Sequence, residues 1–152
     1  MSISSTSANL QLDIKHYSFS HSEIAISNKS KLWQIYTDVK NWKSWDIELE
    51  WSSLDVDFLE NATGYLKSKG SPKIKFTLKN VINHSRFDII CPIPFGQLVI
   101  EHYIEDISEN QIKFTHFVYF TGVLASVFDF LLGKKFRRSL PIVMKNLKTS
   151  VE

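Results

Sequence analysis

The sequence predicts an α+β fold in which a curved antiparallel sheet of about seven strands wraps around a long C-terminal helix. Two short helical segments follow the first strand, within residues 28–39 and 40–44. Residues 47–121 read as strand segments separated by Gly, Pro and Asn. From Gly122 onward apolar residues recur at helical spacing. The sheet must bury one face against another layer, and this C-terminal helix is the long amphipathic element that the sequence offers for it.

The length of 152 residues suits one domain with one core. Residues 1–12 are mostly small and polar, so we interpret them as a flexible N-terminal tail ahead of a single domain at 13–152. The first residues carry no basic and apolar signal-peptide pattern, and no apolar run reaches the ~18 residues of a membrane span. With one cysteine there is no intramolecular disulfide, and we expect a cytoplasmic protein.

The first strand is expected at residues 14–26, with a bend near Ser22 left open. Asn28 is the predicted N-cap of the first helix, and a second short helix is predicted at 40–44. The later strand segments are predicted at 47–54, 63–69, 73–82, 85–91, 97–106 and 111–121. Residues 73–79 alternate between apolar and Lys or Thr side chains, which indicates one covered and one wet face and favours antiparallel pairing.

The C-terminal helix is predicted to kink at Gly133 and to be weakened or bent locally at Pro141. Its apolar stripe consists of Phe136, Leu140, Val143, Leu147 and Val151. A curved sheet that holds such a helix leaves a hollow between the two layers. The fold therefore predicts a ligand cavity, of the usual scale of roughly 300–1,000 Å³.

Two segments resemble the SRPBCC superfamily, in particular its polyketide cyclase/dehydrase and lipid-transport branch. The run SEIAISNKSKLWQIYTDVKNWKSWD is similar to the opening of that family, and FTGVLASVFDFLLGKKFRRSLPIVMKNLKTSVE is similar to its closing helix. The resemblance spans residues 15–152 and implies a START-like, helix-grip fold with an internal ligand cavity. It implies no catalytic signature that can be transferred to this chain, because family members include carriers, receptors and aromatase/cyclases that use the same cavity.

Alternation along two strands places His102 and His116 on the apolar face that is expected to line the cavity. Each histidine is either a polar contact for a ligand, a general acid or base, or a buried side chain satisfied by its neighbours. The predicted lining residues are Trp51, Phe76, Ile100, His102, Phe114, His116 and Val118.

Other chemistry is not indicated. The five histidines show no metal-binding spacing, so we expect no metal, and we expect no other cofactor. Cys91 has no nucleophile motif around it and is interpreted as an ordinary small thiol. Trp42 and Trp45 are interpreted as core residues of the family's helix-packing pattern.

A basic cluster follows an unusually apolar stretch near the start of the C-terminal helix. Its members are Lys134, Lys135, Arg137 and Arg138. One interpretation is a transient contact with an anionic membrane surface at the cavity mouth; the other is a solvated basic turn. Nucleic-acid binding is not expected, since the net charge is +2 and no aromatic-basic interleaving accompanies the cluster.

These observations favour a non-enzymatic binder or carrier of an apolar or amphipathic molecule, such as a lipid, a sterol-like compound or an aromatic polyketide. A polyketide aromatase/cyclase-like enzyme that uses His102 or His116 as acid or base is the alternative. A third hypothesis is a protein-interaction module with a vestigial cavity. The expected oligomeric state is a monomer or weak dimer.

Overall fold

The computed structural model describes residues 17–152, so the predicted tail at 1–12 and the start of the first strand lie outside the described residues. The elements, in chain order, are β1 (Ser18–Ile26), α1 (Lys29–Thr37), a 3₁₀ helix (Val39–Ser44), β2 (Leu49–Leu54), β3 (Thr63–Ser68), β4 (Ile74–Ile82), β5 (Arg86–Ile93), β6 (Gly96–Ser108), β7 (Gln111–Gly122), α2 (Ala125–Phe128), a π-helical turn (Asp129–Gly133) and α3 (Lys134–Val151). Within these residues, no helix is long and apolar enough to cross a membrane.

Within residues 17–152 the sheet has seven strands in the order β1-β7-β6-β5-β4-β3-β2, and every neighbouring pair is antiparallel. Strands β2 to β7 therefore form a meander, and β1 joins the end of it beside β7. The helix α3 packs over the inner face of this curled sheet, where its side chains join the hydrophobic core. The predicted α+β class, the curved sheet and its long C-terminal helix are confirmed.

The strand β1 runs without a bend at Ser22. Its pairing with β7 is continuous from Ser18 opposite Tyr119 to Ile26 opposite Gln111. Because side chains alternate along an unbroken strand, Phe19 faces inward, whereas Ile24 and Ile26 face outward and are exposed. The bend left open from the sequence is absent because the ladder hydrogen bonds with β7 hold the whole strand.

The two short helices are held by side-chain hydrogen bonds to the backbone. Asn28 caps α1 as predicted, since its side chain accepts a hydrogen bond from the backbone amide of Lys31 at 2.9 Å. The indole of Trp42 donates to the Tyr36 carbonyl oxygen at 2.8 Å, which ties the 3₁₀ helix back to α1. These contacts turn the chain over one end of the sheet.

The predicted kink at Gly133 corresponds to the π-helical turn that ends there. After it α3 is continuous through Pro141, so the proline does not interrupt the helix. The predicted stripe faces the sheet: Leu140, Val143, Leu147 and Val151 are buried, and Phe136 is half-buried.

Candidate functional site

A cavity of about 130 Å³ lies between α3 and the sheet. It is lined by Phe19, Trp42, Trp45, Asp46, Glu48, Leu49, Leu66, Ser68, Ile74, Ile89, Cys91, Leu98, Ile100, His102, His116, Val118, Phe136, Ser139, Leu140 and Val143. This volume is well below the expected range of roughly 300–1,000 Å³. Three large rings, those of Trp42, Trp45 and Phe136, are among the lining side chains.

Four of the seven predicted lining residues meet at this cavity: Ile100, His102, His116 and Val118. They belong to two inward pairs across β6 and β7, in which Ile100 lies opposite Val118 and His102 opposite His116. Both histidines of the second pair are buried, with 3% of their surface exposed.

Phe76 and Phe114 are fully buried but do not line the cavity. Phe114 pairs with Ile104 one step beyond the histidines, where the inward face meets the core instead of the hollow. The ring of Phe76 packs on Trp42 at a centroid distance of 5.7 Å. Strand alternation assigned both residues to the correct face and not to the correct depth.

Trp51 also lies away from the cavity, on the outer side of β2, with 37% of its surface exposed. The pairing of β2 with β3 shifts between Leu49 and Trp51, which indicates a bulge. Leu49 lines the cavity, and the Ser52 hydroxyl donates to the Val39 carbonyl oxygen at 2.6 Å, so both of these residues face inward. Trp51 was predicted as a ligand contact because it lies on an early strand, and the bulge leaves it on the outer side of that strand.

The two cavity histidines are buried and in ring contact, with centroids 4.2 Å apart. His102 stacks on Phe87 at 4.0 Å, and its Nδ1 lies 3.2 Å from the Phe87 carbonyl oxygen. Burial lowers the pKa of His102 to about 3. Since the carbonyl can only accept, we assign the proton of the neutral ring to Nδ1, which leaves Nε2 as an acceptor.

His116 is held by Tyr36, whose hydroxyl lies 2.9 Å from Nε2. Burial, followed by the nearby His102, lowers the pKa of His116 well below its ordinary value. Tyr36 itself is completely buried in α1, and burial raises its pKa. Sequence reasoning missed Tyr36 as a partner, although its helical spacing from Leu32 already placed it on the inward face of α1.

Sixteen of the twenty lining residues were not among the predicted lining residues, and three of the sixteen bear on chemistry. Trp42 and Trp45 were interpreted as core only, yet they are buried and also line the cavity. Cys91 lines it as well, and burial raises its thiol pKa to about 12, so it is not a thiolate nucleophile at neutral pH. Residues 17–152 contain no group of three or more side chains placed to bind a metal ion.

An acidic pair at the edge of the cavity faces the basic cluster. Glu48 lines the cavity and pairs with Lys135 of α3 at 3.2 Å. Asp46 accepts a hydrogen bond from the Glu48 backbone amide at 3.0 Å, and burial raises the pKa of its carboxyl to about 6. A carboxylate beside an apolar cavity is thus partly protonated near neutral pH.

Replacing Asp46 with Asn is expected to stabilise the protein at pH 7, by at most about 3 kcal/mol. The folded state binds a proton at Asp46 up to about pH 6, whereas the unfolded state releases it near pH 4, so ionisation of Asp46 costs folding free energy above that window. The gain should shrink between pH 6 and pH 4 and vanish below. Urea unfolding of both proteins at pH 4, 6 and 7.5 measures it, and a pH-independent difference would contradict the buried carboxyl.

The four predicted membrane-docking residues lie in the first turns of α3 and are exposed. Two of them already have partners, because Lys135 pairs with Glu48 and Arg137 Nη2 lies 2.9 Å from Asp129 Oδ1. The Arg137 guanidinium also lies 4.7 Å from the ring centroid of Phe19. Lys134 and Arg138 make no ion pair within the described part of the chain.

The sequence matches no protein-family model and no curated protein sequence. Solved structures are similar over most of the chain. A START superfamily protein from Mycobacterium smegmatis has a TM-score of 0.69 at 10% identity and covers 89% of this chain and 97% of its own. Norcoclaurine synthase from Thalictrum flavum has a TM-score of 0.66 at 8% identity, with 91% and 89% covered.

The di-domain aromatase/cyclase BexL of the BE-7585A biosynthetic pathway has a TM-score of 0.67 at 10% identity. The match covers 86% of this chain and 46% of BexL, which corresponds to about one of its two domains. At these identities the likeness shows the fold alone. The chain therefore has the same helix-grip fold as these structures.

Proposed function

We propose that the protein binds and carries a small apolar molecule about the size of one aromatic ring, with a hydroxyl group that contacts His102. The observation that supports this proposal most directly is the cavity of about 130 Å³ with His102 in its wall. An apolar cavity of about 150 Å³ is large enough to take up benzene. The volume thus supports a single ring over the broader range of lipids, sterols and polyketides that the sequence left open.

The polar groups among the lining residues suit a hydroxyl. The assigned tautomer gives His102 an acceptor nitrogen, Nε2, which a ligand hydroxyl would donate to. The indole Nε1 of Trp45 is buried and has no hydrogen-bond partner among residues 17–152. A ligand oxygen that accepted from this indole would satisfy it, and a hydroxyl is a group that both donates and accepts.

The lowered pKa values of the two buried histidines support a carrier over an acid-base enzyme. With a pKa of about 3, His102 is unprotonated at neutral pH and is a weak base. General acid-base catalysis is most effective when the pKa of the group lies near the working pH. Burial also lowers the pKa of His116, so this histidine is a weak base as well. We therefore propose that both imidazoles act as neutral hydrogen-bonding groups.

Toluene and p-cresol form a matched pair of probes, because they differ by one hydroxyl. The wild type is expected to bind p-cresol more tightly, by about 0.5–1.5 kcal/mol, or roughly 2- to 12-fold in Kd. The variant His102→Phe keeps a ring to stack on Phe87 and removes the acceptor, so the preference for p-cresol over toluene should shrink. Titration calorimetry with both probes measures the difference.

A cavity-filling variant tests the location. Val118→Phe adds a ring inside the cavity and should abolish binding of both probes. Its control is Thr115→Phe, which adds the same ring on the outer face of β7, where the Thr115 hydroxyl lies 2.7 Å from that of Ser22. If Val118→Phe folds and binds both probes as well as the wild type does, the cavity is not the binding site.

A further inference from the structure

One end of the molecule carries exposed apolar side chains, which we call the apolar tip. It consists of Phe95, Val123, Val127, Phe130 and Leu131, whose exposed fractions are 78%, 83%, 46%, 81% and 63%. We propose that the apolar tip inserts into the surface of an anionic lipid bilayer. This inference concerns a surface outside the cavity and does not depend on the identity of the ligand.

The π-helical turn explains why Phe130 and Leu131 are exposed together. Phe128, just before the turn, packs against the core, and the next inward position is the buried Gly133 at the end of the turn, five residues later. The inward position after that is Phe136, at ordinary α-helical spacing. In an α-helix an inward position recurs after three or four residues. The five-residue spacing in the π-helical turn leaves one more consecutive residue on the solvent side, so the apolar side chains of Phe130 and Leu131 both project from the fold.

Phe95 joins the same surface through the β5–β6 hairpin. Gly96 pairs with Gly122 at the ends of β6 and β7, which brings residue 95 beside residue 123. Gly122 has a φ of 95°, and a Cβ on it would overlap the Phe95 carbonyl oxygen. Only glycine permits this close approach, and it places two apolar side chains from separate segments at one end of the sheet.

The charges around the apolar tip are positive. Lys134 and Arg138 are exposed and make no ion pair within residues 17–152. Asp129, the one carboxylate between residues 123 and 138, is already paired with Arg137 at 2.9 Å. Gly133 leaves room for that pair, because a Cβ there would lie 2.7 Å from Asp129 Oδ1. An apolar surface with free cations beside it complements anionic headgroups over an apolar acyl layer.

A second copy of the chain fits this surface less well. In a twofold dimer the same patch meets itself, so Lys134 and Arg138 of one copy would approach those of the other. The tip offers no free carboxylate to pair with them, and like charges across an interface oppose association. Charge complementarity therefore selects a bilayer, and self-association becomes an outcome that the experiment can detect.

Vesicle flotation tests the proposal with the full chain. Wild-type protein should float with phosphatidylcholine vesicles that contain about 30% phosphatidylserine and much less with phosphatidylcholine alone. Binding should weaken as salt rises, because the Debye length falls from about 10 Å at 0.1 M to about 3 Å at 1 M.

Variants separate the apolar and the charged contributions. Phe130→Ser with Leu131→Ser should weaken partitioning at least about tenfold, since each loses an inserted apolar side chain. Lys134→Glu with Arg138→Glu should weaken it by about fivefold or more for each cation removed, and only on the anionic vesicles. All four side chains are exposed, so thermal unfolding should be little changed.

Matched controls lie at the opposite end of the molecule. Leu59, 61% exposed, matches Leu131, and Leu59→Ser should bind like the wild type. Lys31→Glu with Lys148→Glu changes the net charge as much as the charge variant does, but near the end of β6 where Lys29 pairs with Asp106. This control should keep most of the binding.

Three results would overturn the proposal. The first is no flotation with anionic vesicles, and the second is equal loss in the tip variants and in the opposite-end controls. The third is a dimer in sedimentation velocity that Phe130→Ser with Leu131→Ser dissolves, which would assign the apolar tip to a second copy. Because binding of p-cresol is measured without vesicles, failure here leaves the proposed cavity function standing, and the reverse also holds.

Discussion

Acidification from pH 7 to pH 3.5 is expected to lower the free energy of unfolding by several kcal/mol, about 1.4 kcal/mol per pH unit for each net proton, driven by proton uptake on His102 and His116. Burial lowers the pKa of His102 from 6.5 to about 3, and burial followed by the charge of His102 lowers that of His116. In the unfolded chain both imidazoles regain a pKa near 6.5. The unfolded state therefore binds more protons below that pH, and stability rises with pH through this window.

The expected size follows from linkage. For each proton taken up on unfolding, the free energy of unfolding falls by about 1.4 kcal/mol with each unit by which the pH is lowered. Asp46 works in the opposite direction between about pH 4 and pH 6, where the folded state holds a proton that the unfolded state has released. Between those values the three groups together should take up about one net proton in the wild type and about two in Asp46→Asn.

Urea unfolding in steps from pH 7.5 to pH 3.5 measures this slope. His102→Phe, which keeps the stacking on Phe87, should reduce the proton uptake by about one. It is expected to be less stable at pH 7.5, because the Phe87 carbonyl loses its hydrogen bond, and less sensitive to acid. A variant whose stability falls with pH as steeply as that of the wild type would show that His102 is not held neutral by burial.

The succession of strands and helices along the chain and the position of the long helix could be predicted from local patterns alone. Turn residues separate the segments, alternation identifies a covered face, and the stripe on α3 faces the sheet. Pro92 was read as a break, yet β5 continues through it to Ile93. There Pro92 is paired with Gln97 near the hairpin end, where a missing amide donor is tolerated.

The cavity could be predicted only in part, because periodicity gives the face of a side chain and not its depth. His102 and His116 share a face with Ile104 and Phe114, but α3 leaves a hollow over the first pair and none over the second. Trp45 lines the hollow because the 3₁₀ helix carries it over the end of the sheet, which no local pattern indicates.

Truncation of Leu147 to Ala is expected to cost about 2–5 kcal/mol of folding free energy. Leu147 is fully buried in the core, where α3 covers the sheet, and it does not line the cavity. The truncation thus leaves a new void in the core, separate from the cavity, and the side chains around this void lose packing contacts. For a domain of this size the loss corresponds to a fall in Tm of roughly 4–20 °C.

Ile142→Ala is the matched control, since Ile142 lies on the same helix with 45% of its surface exposed. The loss of folding free energy in Ile142→Ala should be well below that in Leu147→Ala, because the Ile142 side chain is already partly in contact with water in the folded state. Thermal unfolding of both variants, with p-cresol binding measured well below Tm, separates core packing from the cavity. An unchanged Tm for Leu147→Ala, or equal losses for the two variants, would mean that this face of α3 does not cover the core. Retained p-cresol binding by folded Leu147→Ala is expected, because the cavity wall formed by α3 consists of Phe136, Ser139, Leu140 and Val143.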